Sequence, residues 1–395
     1  MMSKCAVCSG NDIVSFLKRE RVPVHQHLVS KDRASAQSMD RAQLDMAVCR
    51  SCGFVFNRLF DFSKLSYDES YDNTQSCSAH FNTYLDSLVA YLVEQKNVRN
   101  CTIVEVGCGK GIFLRKLVEY PGANNRGIGF DPSYVGLESE IDGRLVFHRK
   151  FYDGSSADLE ADVVICRHVI EHVPEPLLLL RTVRAALEGS PNARVYFETP
   201  CVDWILQNKV VWDFFYEHCS LFTAYSLAVA FSESGFAVQD VHHVFDEQYL
   251  WLEARPGRAA IGNERVDNDG AVENTVRSSL AYGEQEEANR LKWLAYLSEL
   301  KAEGALALWG AGAKGVTFAN LVDPEATLID CVVDLNPNKQ SGFLPGTGHP
   351  VVSPLELLTR NVKNAVLMNP NYRQENLTLL EESGIAVKLV ELAGV

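Results

Sequence analysis

One stretch, Ile103-Val-Glu-Val-Gly-Cys-Gly-Lys-Gly-Ile-Phe113, limits this chain to a small set of folds. Thr102 to Val106 is a largely β-branched apolar run and reads as a buried parallel strand. It runs into Gly107, Cys108, Gly109, Lys110 and Gly111. An amphipathic helix follows, with Phe113, Leu114, Leu117 and Val118 on one face. Glycines at a strand-to-helix turn let backbone amides approach a ligand, because no Cβ stands in the way. A second strand, Gly127-Ile-Gly-Phe130, ends in Asp131, and an acid at that strand tip is placed to accept hydrogen bonds from ribose hydroxyls. Strand, glycine turn, helix and acid in this order predict a doubly wound α/β fold. By itself the glycine turn is compatible with any such fold.

Glu105, just ahead of the glycines, sits where the amine of a bound amino-acid moiety could be held. Glu-x-Gly-x-Gly-x-Gly, with an Asp about twenty residues on, resembles the cofactor site of class I S-adenosylmethionine (SAM) methyltransferases. The resemblance implies cofactor contacts from Glu105, Gly107, Cys108, Gly109, Gly111, Asp131 and Pro132. Arg167, at the end of the next core strand, falls on the same edge. Upstream, Tyr67, Tyr71, Asn73, Gln75, Ser76 and Ser78 form a polar–aromatic loop, from which Tyr71 and Ser76 are cofactor candidates. That loop either covers the cofactor or is a solvated linker into a helix over about 80–94.

With 395 residues the chain exceeds one ordinary core, and roughly two or three domains are expected. The net charge of −14 argues against wrapping a nucleic-acid backbone, which needs clustered Lys and Arg. It leaves room for an anionic small molecule at a local basic site. No apolar run reaches membrane-spanning length, and Met-Met-Ser-Lys-Cys at the start lacks an apolar signal core, so no membrane partner is expected. Eleven cysteines without a secretion signal suggest reduced thiols or metal ligands, and the cytoplasm is the expected compartment.

Cys5-Ala-Val-Cys8 and Cys49-Arg-Ser-Cys52-Gly53 are two knuckles about forty residues apart. Four thiolates on two tight turns suit tetrahedral zinc with no open position, hence a structural ion. The alternative is four unrelated buried cysteines. Residues 1–80 are therefore read as a zinc-binding module, 81–256 as the core, 257–302 as a linker and long helix, and 303–395 as a second, Rossmann-like α/β domain.

Within the core, Asp162-Val-Val-Ile-Cys166 is a strand followed by Arg167, His168, Glu171 and His172. His168-x-x-Glu171-His172 alone matches an inverted zinc-peptidase motif, with two ligands one helical turn apart. Arg194 to Glu198 is a further strand ended by Thr199-Pro200, which puts Thr199 on the ligand edge. Trp212-Asp-Phe-Phe-Tyr216-Glu217-His218-Cys-Ser-Leu-Phe222 sets a Glu-His pair among aromatics. It is either a tuned proton-transfer site or a patch closing the core. In the last domain, Gly310-Ala-Gly312-Ala-Lys-Gly315 with Asp334 about twenty residues on is a dinucleotide fingerprint. Lys314 and Lys339 are placed to meet phosphates. An NAD-dependent oxidoreductase using this motif is thus an alternative, as is a degenerate fold serving as a lid.

A two-knuckle zinc module, a class I core and a C-terminal α/β domain, in that order, resemble the sugar C-methyltransferases of antibiotic pathways. The most specific parts are the Cys pairs, the Glu217-His-Cys-Ser-Leu-Phe222 segment, and Lys339-Gln with Pro345-Gly-Thr347. The resemblance implies methyl transfer to a carbon beside the keto group of a nucleotide-linked sugar. It implies His172 as base and a Tyr-x-Glu-His motif lining the sugar site. Glu217 and His218 match that motif's last two positions, while Phe215 stands in its Tyr position with Tyr216 one residue late. Tyr216 or a protonated Glu217 would then stabilise the enolate oxygen, with His172 or His218 taking the proton. A glycine-rich turn common in that family is replaced by Phe245-Asp-Glu-Gln-Tyr249-Leu. Methylation of a hydroxyl in the same site is the alternative, and the sequence assigns no oligomeric state.

Overall fold

The computed structural model describes residues 4–67, 71, 75–154, 160–257 and 270–391. Asn73 and most of the expected linker, residues 258–269, lie outside that set.

The N-terminal part is a small antiparallel sheet of β1 (Ile13–Pro23), β2 (Arg41–Cys49) and β3 (Val55–Asn57). The core contributes β4 (Thr102–Val106), β5 (Arg126–Phe130), β6 (Ser139–Glu140), β7 (Leu145–His148), β8 (Val163–Arg167) and β9 (Arg194–Pro200). The short β10 (Ser220–Leu221) leaves the core to pair with β3, and β11 (Phe236–Val244) and β12 (Tyr249–Pro256) return to it. The core sheet runs β11-β12-β9-β8-β4-β5-β7-β6. Its middle pairs are parallel, and β12 is antiparallel to both of its neighbours. This is a doubly wound α/β sheet with an antiparallel hairpin at one edge, the fold class expected from the sequence. Because β5 and β8 flank β4, the chain leaves β4 and β5 at a point where strand order reverses. Such a point opens a crevice beyond the strands' carboxyl ends.

The glycine turn forms for a steric reason. Gly107 has φ +73°, and a Cβ there would lie 2.1 Å from Cγ2 of Val169. The following helix, Ile112–Glu119, buries Phe113, Leu114, Leu117 and Val118 as its periodicity predicts.

The C-terminal part is a parallel sheet ordered β15-β14-β13-β16-β17, from β13 (Ala305–Trp309), β14 (Cys331–Val333), β15 (Val351–Val352), β16 (Val362–Leu367) and β17 (Lys388–Glu391). Here β13 stands between β14 and β16, so a second crevice opens beyond its carboxyl end. Gly315 permits the helix Ala313–Val322 to pack on this turn, since a Cβ would sit 1.9 Å from the Gly310 carbonyl oxygen.

The long helix, Ala271–Glu303, crosses the N-terminal sheet. Buried Arg19 of β1 pairs with Glu286 on this helix. The same guanidinium donates to the carbonyls of Val211 and Phe214, each at 2.6 Å. One side chain thus ties the small sheet and the long helix to the segment that carries Asp213, Phe215 and His218. That segment has no regular structure of its own over 211–218.

Candidate functional site

Four sulfurs form the first cluster. Cys5 Sγ is 3.6 Å from Cys52 Sγ and Cys8 Sγ 3.5 Å from Cys49 Sγ, with all four within 4.8 Å of one another. Tetrahedral thiolates about 2.3 Å from a metal stand roughly 3.8 Å apart, so the donor set and its spacing fit a closed four-sulfur site. Gly53, with φ +73°, closes the second knuckle through its amide to Cys49 O at 2.9 Å.

The larger cleft, about 700 Å³, lies beyond β4 and β5. Glu105, Gly107, Cys108, Gly109, Asp131 and Pro132 line it, as do Arg167, Tyr71 and Ser76. Gly111 does not. It begins the helix with φ +75°, and a Cβ there would lie 2.5 Å from the Phe147 ring, so its constraint is packing. Asp131 is clamped to the glycine turn: Oδ2 accepts from Gly109 N at 2.8 Å, and Oδ1 from Ser133 N at 2.8 Å. Glu105 is buried and its Oε2 has no hydrogen-bond partner. Burial pushes its carboxyl up to about 8 against the pull of Arg167. A buried, unsatisfied acid beside a ribose-type acid fits a cofactor with a cationic amine and a nucleoside, as SAM has.

Arg167 is held by Glu198, Nε to Oε2 at 2.6 Å, and its guanidinium lies 4.4 Å from the centre of the Phe113 ring. Glu198 also meets His168 Nε2 at 3.2 Å and accepts from Tyr84 OH at 2.8 Å. Burial opposes charge on both partners, but Arg167 and His168 hold Glu198 down to about 2, and Glu198 with Glu171 lifts His168 to about 9. The sequence hinted at this network only through an acid in an otherwise apolar strand.

A second cleft of about 280 Å³ opens between the core and the C-terminal sheet. His172 and His218 line it, with ring centres 4.8 Å apart, and His218 packs on Phe215 at 4.0 Å. Burial drives His218 well below the usual histidine range, helped by the charges of His172, His168, His27 and Lys314, so it is neutral at pH 7. Lys314 and Lys339 also line this cleft. Lys314 pairs with Asp213 at 3.2 Å and lies 5.6 Å from the Trp204 ring centre, while buried Lys339 reaches Ala311 O at 3.4 Å. The C-terminal glycine turn faces the same cleft through Gly310, Gly312 and Asp334. Asp334 repeats the Asp131 clamp, with Oδ2 accepting from Ala311 N at 2.7 Å and Oδ1 from Asn336 N at 2.8 Å. Both clefts are lined by Tyr71, Gln75, His168 and His172, so they meet there.

Three expected site residues are turned elsewhere. Tyr216 is fully buried, and its hydroxyl accepts from Asp61 N at 2.9 Å. Glu217 is fully buried too, with Oε2 accepting from Gln26 N at 3.1 Å and Oε1 3.6 Å from His25 Nδ1. Neither lines a cleft, because the irregular segment turns these two consecutive side chains toward His25, Gln26 and Asp61 of the N-terminal part. Phe215 and His218 are the ones that reach the cleft. Thr199 is buried and donates to Glu171 Oε2 at 3.1 Å instead of facing a ligand. His168 and His172 are not on one helix face either. His168 has φ +55°, and Ile170–His172 is a single 3₁₀ turn, which removes the helical spacing of a peptidase motif. Tyr67, outside the expected set, meets His172 Nδ1 at 3.2 Å.

Residues 78–241 match the family described as a methyltransferase domain, and residues 262–385 match that described as a C-methyltransferase C-terminal domain. Among curated proteins, the tRNA U34 carboxymethyltransferase of Nautilia profundicola is 28% identical over 120 residues, 27% of this chain and 37% of that protein. The ubiquinone biosynthesis O-methyltransferase of Hydrogenovibrio crunogenus is 25% identical over 119 residues, 28% of this chain and 47% of that one. The chain thus spans less than half the length of these curated relatives. Among solved structures, the 1,6-didemethyltoxoflavin-N1-methyltransferase of Burkholderia thailandensis aligns with a TM-score of 0.35 at 15% identity, over 45% of this chain and 81% of that one. The magnesium protoporphyrin IX methyltransferase of Synechocystis aligns with a TM-score of 0.36 at 20% identity, over 48% and 90%. The doubly wound core sheet thus carries the match to a methyltransferase domain, and the C-terminal sheet carries the match to a C-methyltransferase C-terminal domain.

Proposed function

We propose that this protein transfers a methyl group from SAM to a small acceptor held between the core and the C-terminal domain. The observation that carries this is the junction of the two clefts at Tyr71, Gln75, His168 and His172. SAM, when bound, supplies an electrophilic methyl group on a positive sulfonium. Glu105 would hold its ammonium and Asp131 its ribose, with Gly107, Cys108, Gly109 and Pro132 forming the floor. Arg167 would buttress that edge, and Tyr71 and Ser76 would cover it.

The acceptor class favoured is a nucleotide-linked keto-sugar methylated at carbon. Lys314 and Lys339, in a cleft walled by Trp204, Phe215 and Tyr249, suit an anionic group joined to a flat or apolar one. His172 or His218 takes the proton beside the carbonyl, a task suited to a neutral imidazole. Holding both reactants across the junction lowers the entropic cost of their meeting. Methylation of a hydroxyl by the same histidines is the second reading, in keeping with the O-methyltransferase among the relatives. The cysteine cluster is assigned a structural zinc ion, and residues 1–80, 81–256, 257–302 and 303–395 the four roles expected from sequence. Among the described residues no helix is long and apolar enough to cross a membrane. The proposed partner is a small molecule and the proposed compartment the cytoplasm.

The test is mass spectrometry of the protein with SAM and a panel of nucleotide sugars, hydroxylated aromatics and NAD. Methylated sugar with formation of S-adenosylhomocysteine supports the first reading, and methylated phenol the second. Binding of NAD without SAM refutes both.

A further inference from the structure

Glu171 is fully buried, yet its Oε1 has no hydrogen-bond partner. Its Oε2 is anchored by Thr199. Oε1 lies 3.4 Å from His168 Nδ1, and His168 is shared on its other side with Glu198. A Glu171 oxygen and one ring nitrogen each from His172 and His218 all fall within 4.8 Å of one another. All three residues line the smaller cleft. The tight 3₁₀ turn after His168 makes this possible, because it buries the Glu171 carboxylate beneath the two imidazoles.

Whichever imidazole takes the acceptor's proton becomes a cation in crowded surroundings. Positive or titratable neighbours are His27, His168 and Lys314. The phenols of Tyr67 and Tyr71 face the same space, as do the charges of Glu171 and, more remotely, Glu217 and Asp131. Asp213 is paired with Lys314 and Glu198 with Arg167, so their charge is already matched. Glu171 shares His168 with Glu198 and, among the described residues, is not bound to an arginine or lysine, so its carboxylate also stands beside the pair.

Resting on the methyltransferase reading, we infer that Glu171 is a positioning residue: it orients the His172–His218 pair and stabilises the imidazolium formed when the pair takes a proton from the acceptor. In that step a C–H or O–H bond of the acceptor breaks and an N–H bond forms on the imidazole. The electron pair stays on the acceptor, and Glu171 remains a carboxylate throughout.

The experiment is the pH profile of methyl transfer in the wild type, Glu171→Gln and Glu171→Asp. Glutamine keeps the volume and the Thr199 contact but removes the charge. Its acid limb in kcat/KM should move down by roughly one pH unit or more, since a charge this close acts through a low local dielectric. Its plateau kcat should fall on the order of 10²-fold, with S-adenosylhomocysteine affinity unchanged. Aspartate should return the limb to near its wild-type position. If Glu171→Gln does not fold, Thr199→Val, which loosens the carboxylate, should give a smaller shift of the same sign. A wild-type limb in the folded glutamine variant overturns the inference. So does a divalent ion held outside the cysteine cluster and lost from Glu171→Gln and His218→Ala, because the three residues would then be its ligands. Failure of the wild type to bind S-adenosylhomocysteine would instead defeat the methyltransferase reading itself.

Discussion

The hydroxyl of Tyr67 lies 3.2 Å from Nδ1 of His172, at the point where the two clefts join. Burial, aided by the charge of Glu217, raises the phenol well above its ordinary range, so it remains protonated at any working pH. It can therefore fix the tautomer of His172 by donating to Nδ1 or accepting from it. Where Nδ1 carries the proton, Nε2 keeps the lone pair a base needs. His172→Asn should leave SAM affinity nearly intact and lower turnover by about 10²–10⁴-fold. Tyr67→Phe should lower it by roughly tenfold, the scale of one hydrogen bond. Steady-state kinetics with parallel titrations of S-adenosylhomocysteine separate the two effects.

Glu105 predicts a proton linkage on cofactor binding. Free of ligand its carboxyl titrates near 8, so at pH 7 it is mostly protonated. An ammonium beside it favours the carboxylate and lowers that value in the complex. Binding should then release protons below about pH 8, and affinity should rise as pH climbs from 7 to about 8 before levelling. Calorimetry in buffers of different ionisation enthalpy reads the proton count directly. In Glu105→Gln the release should vanish and binding should weaken.

The cysteine cluster predicts close to one zinc per chain by metal analysis, lost when Cys49 and Cys52 are both changed to Ser. Because Cys49 ends β2 and the Cys5 knuckle lies just before β1, removal of the metal should also lower the melting temperature. A metal-free protein with unchanged melting would contradict the assignment.

Glu375, from the C-terminal domain, caps the helix Ala79–Ala90 of the core. Oε1 accepts from Ala79 N at 2.7 Å and Oε2 from Ser78 Oγ at 2.6 Å, while Tyr372 OH donates to Gln75 Oε1 at 2.7 Å. Glu375→Ala should cost about 0.5–2 kcal/mol, as for loss of a helix cap. Since Gln75 and Ser78 also line the smaller cleft, the acceptor KM should rise in the same variant. Thermal melts and kinetics on one preparation test both.

What was legible in the sequence was local. The strand, glycine turn and Asp131 recur in order because each is dictated by neighbours a few residues away. Each cysteine knuckle is local in the same way, and the pairing of β1 with β2 then brings the two together. Side-chain direction in the Trp212–Phe222 segment was not legible, because that segment lacks a period. Tyr216 and Glu217 are drawn inward by Asp61, Gln26 and His25, partners about 155 to 190 residues away. Nor did the His168-x-x-Glu171-His172 spelling reveal that a left-handed residue at His168 would split the motif. The convergence of the second glycine turn on the histidine pair required the tertiary arrangement of two sheets.

The most direct measurement is the melting temperature with S-adenosylhomocysteine and with NAD, in the wild type and in Asp131→Ala. A ligand that binds only the folded state raises melting in proportion to its occupancy. The wild type should gain stability with S-adenosylhomocysteine and none with NAD, and Asp131→Ala should lose that gain when measured against its own unliganded melting temperature. Stabilisation by NAD alone, or an undiminished S-adenosylhomocysteine shift in Asp131→Ala, would contradict the placement of the cofactor beyond β4 and β5.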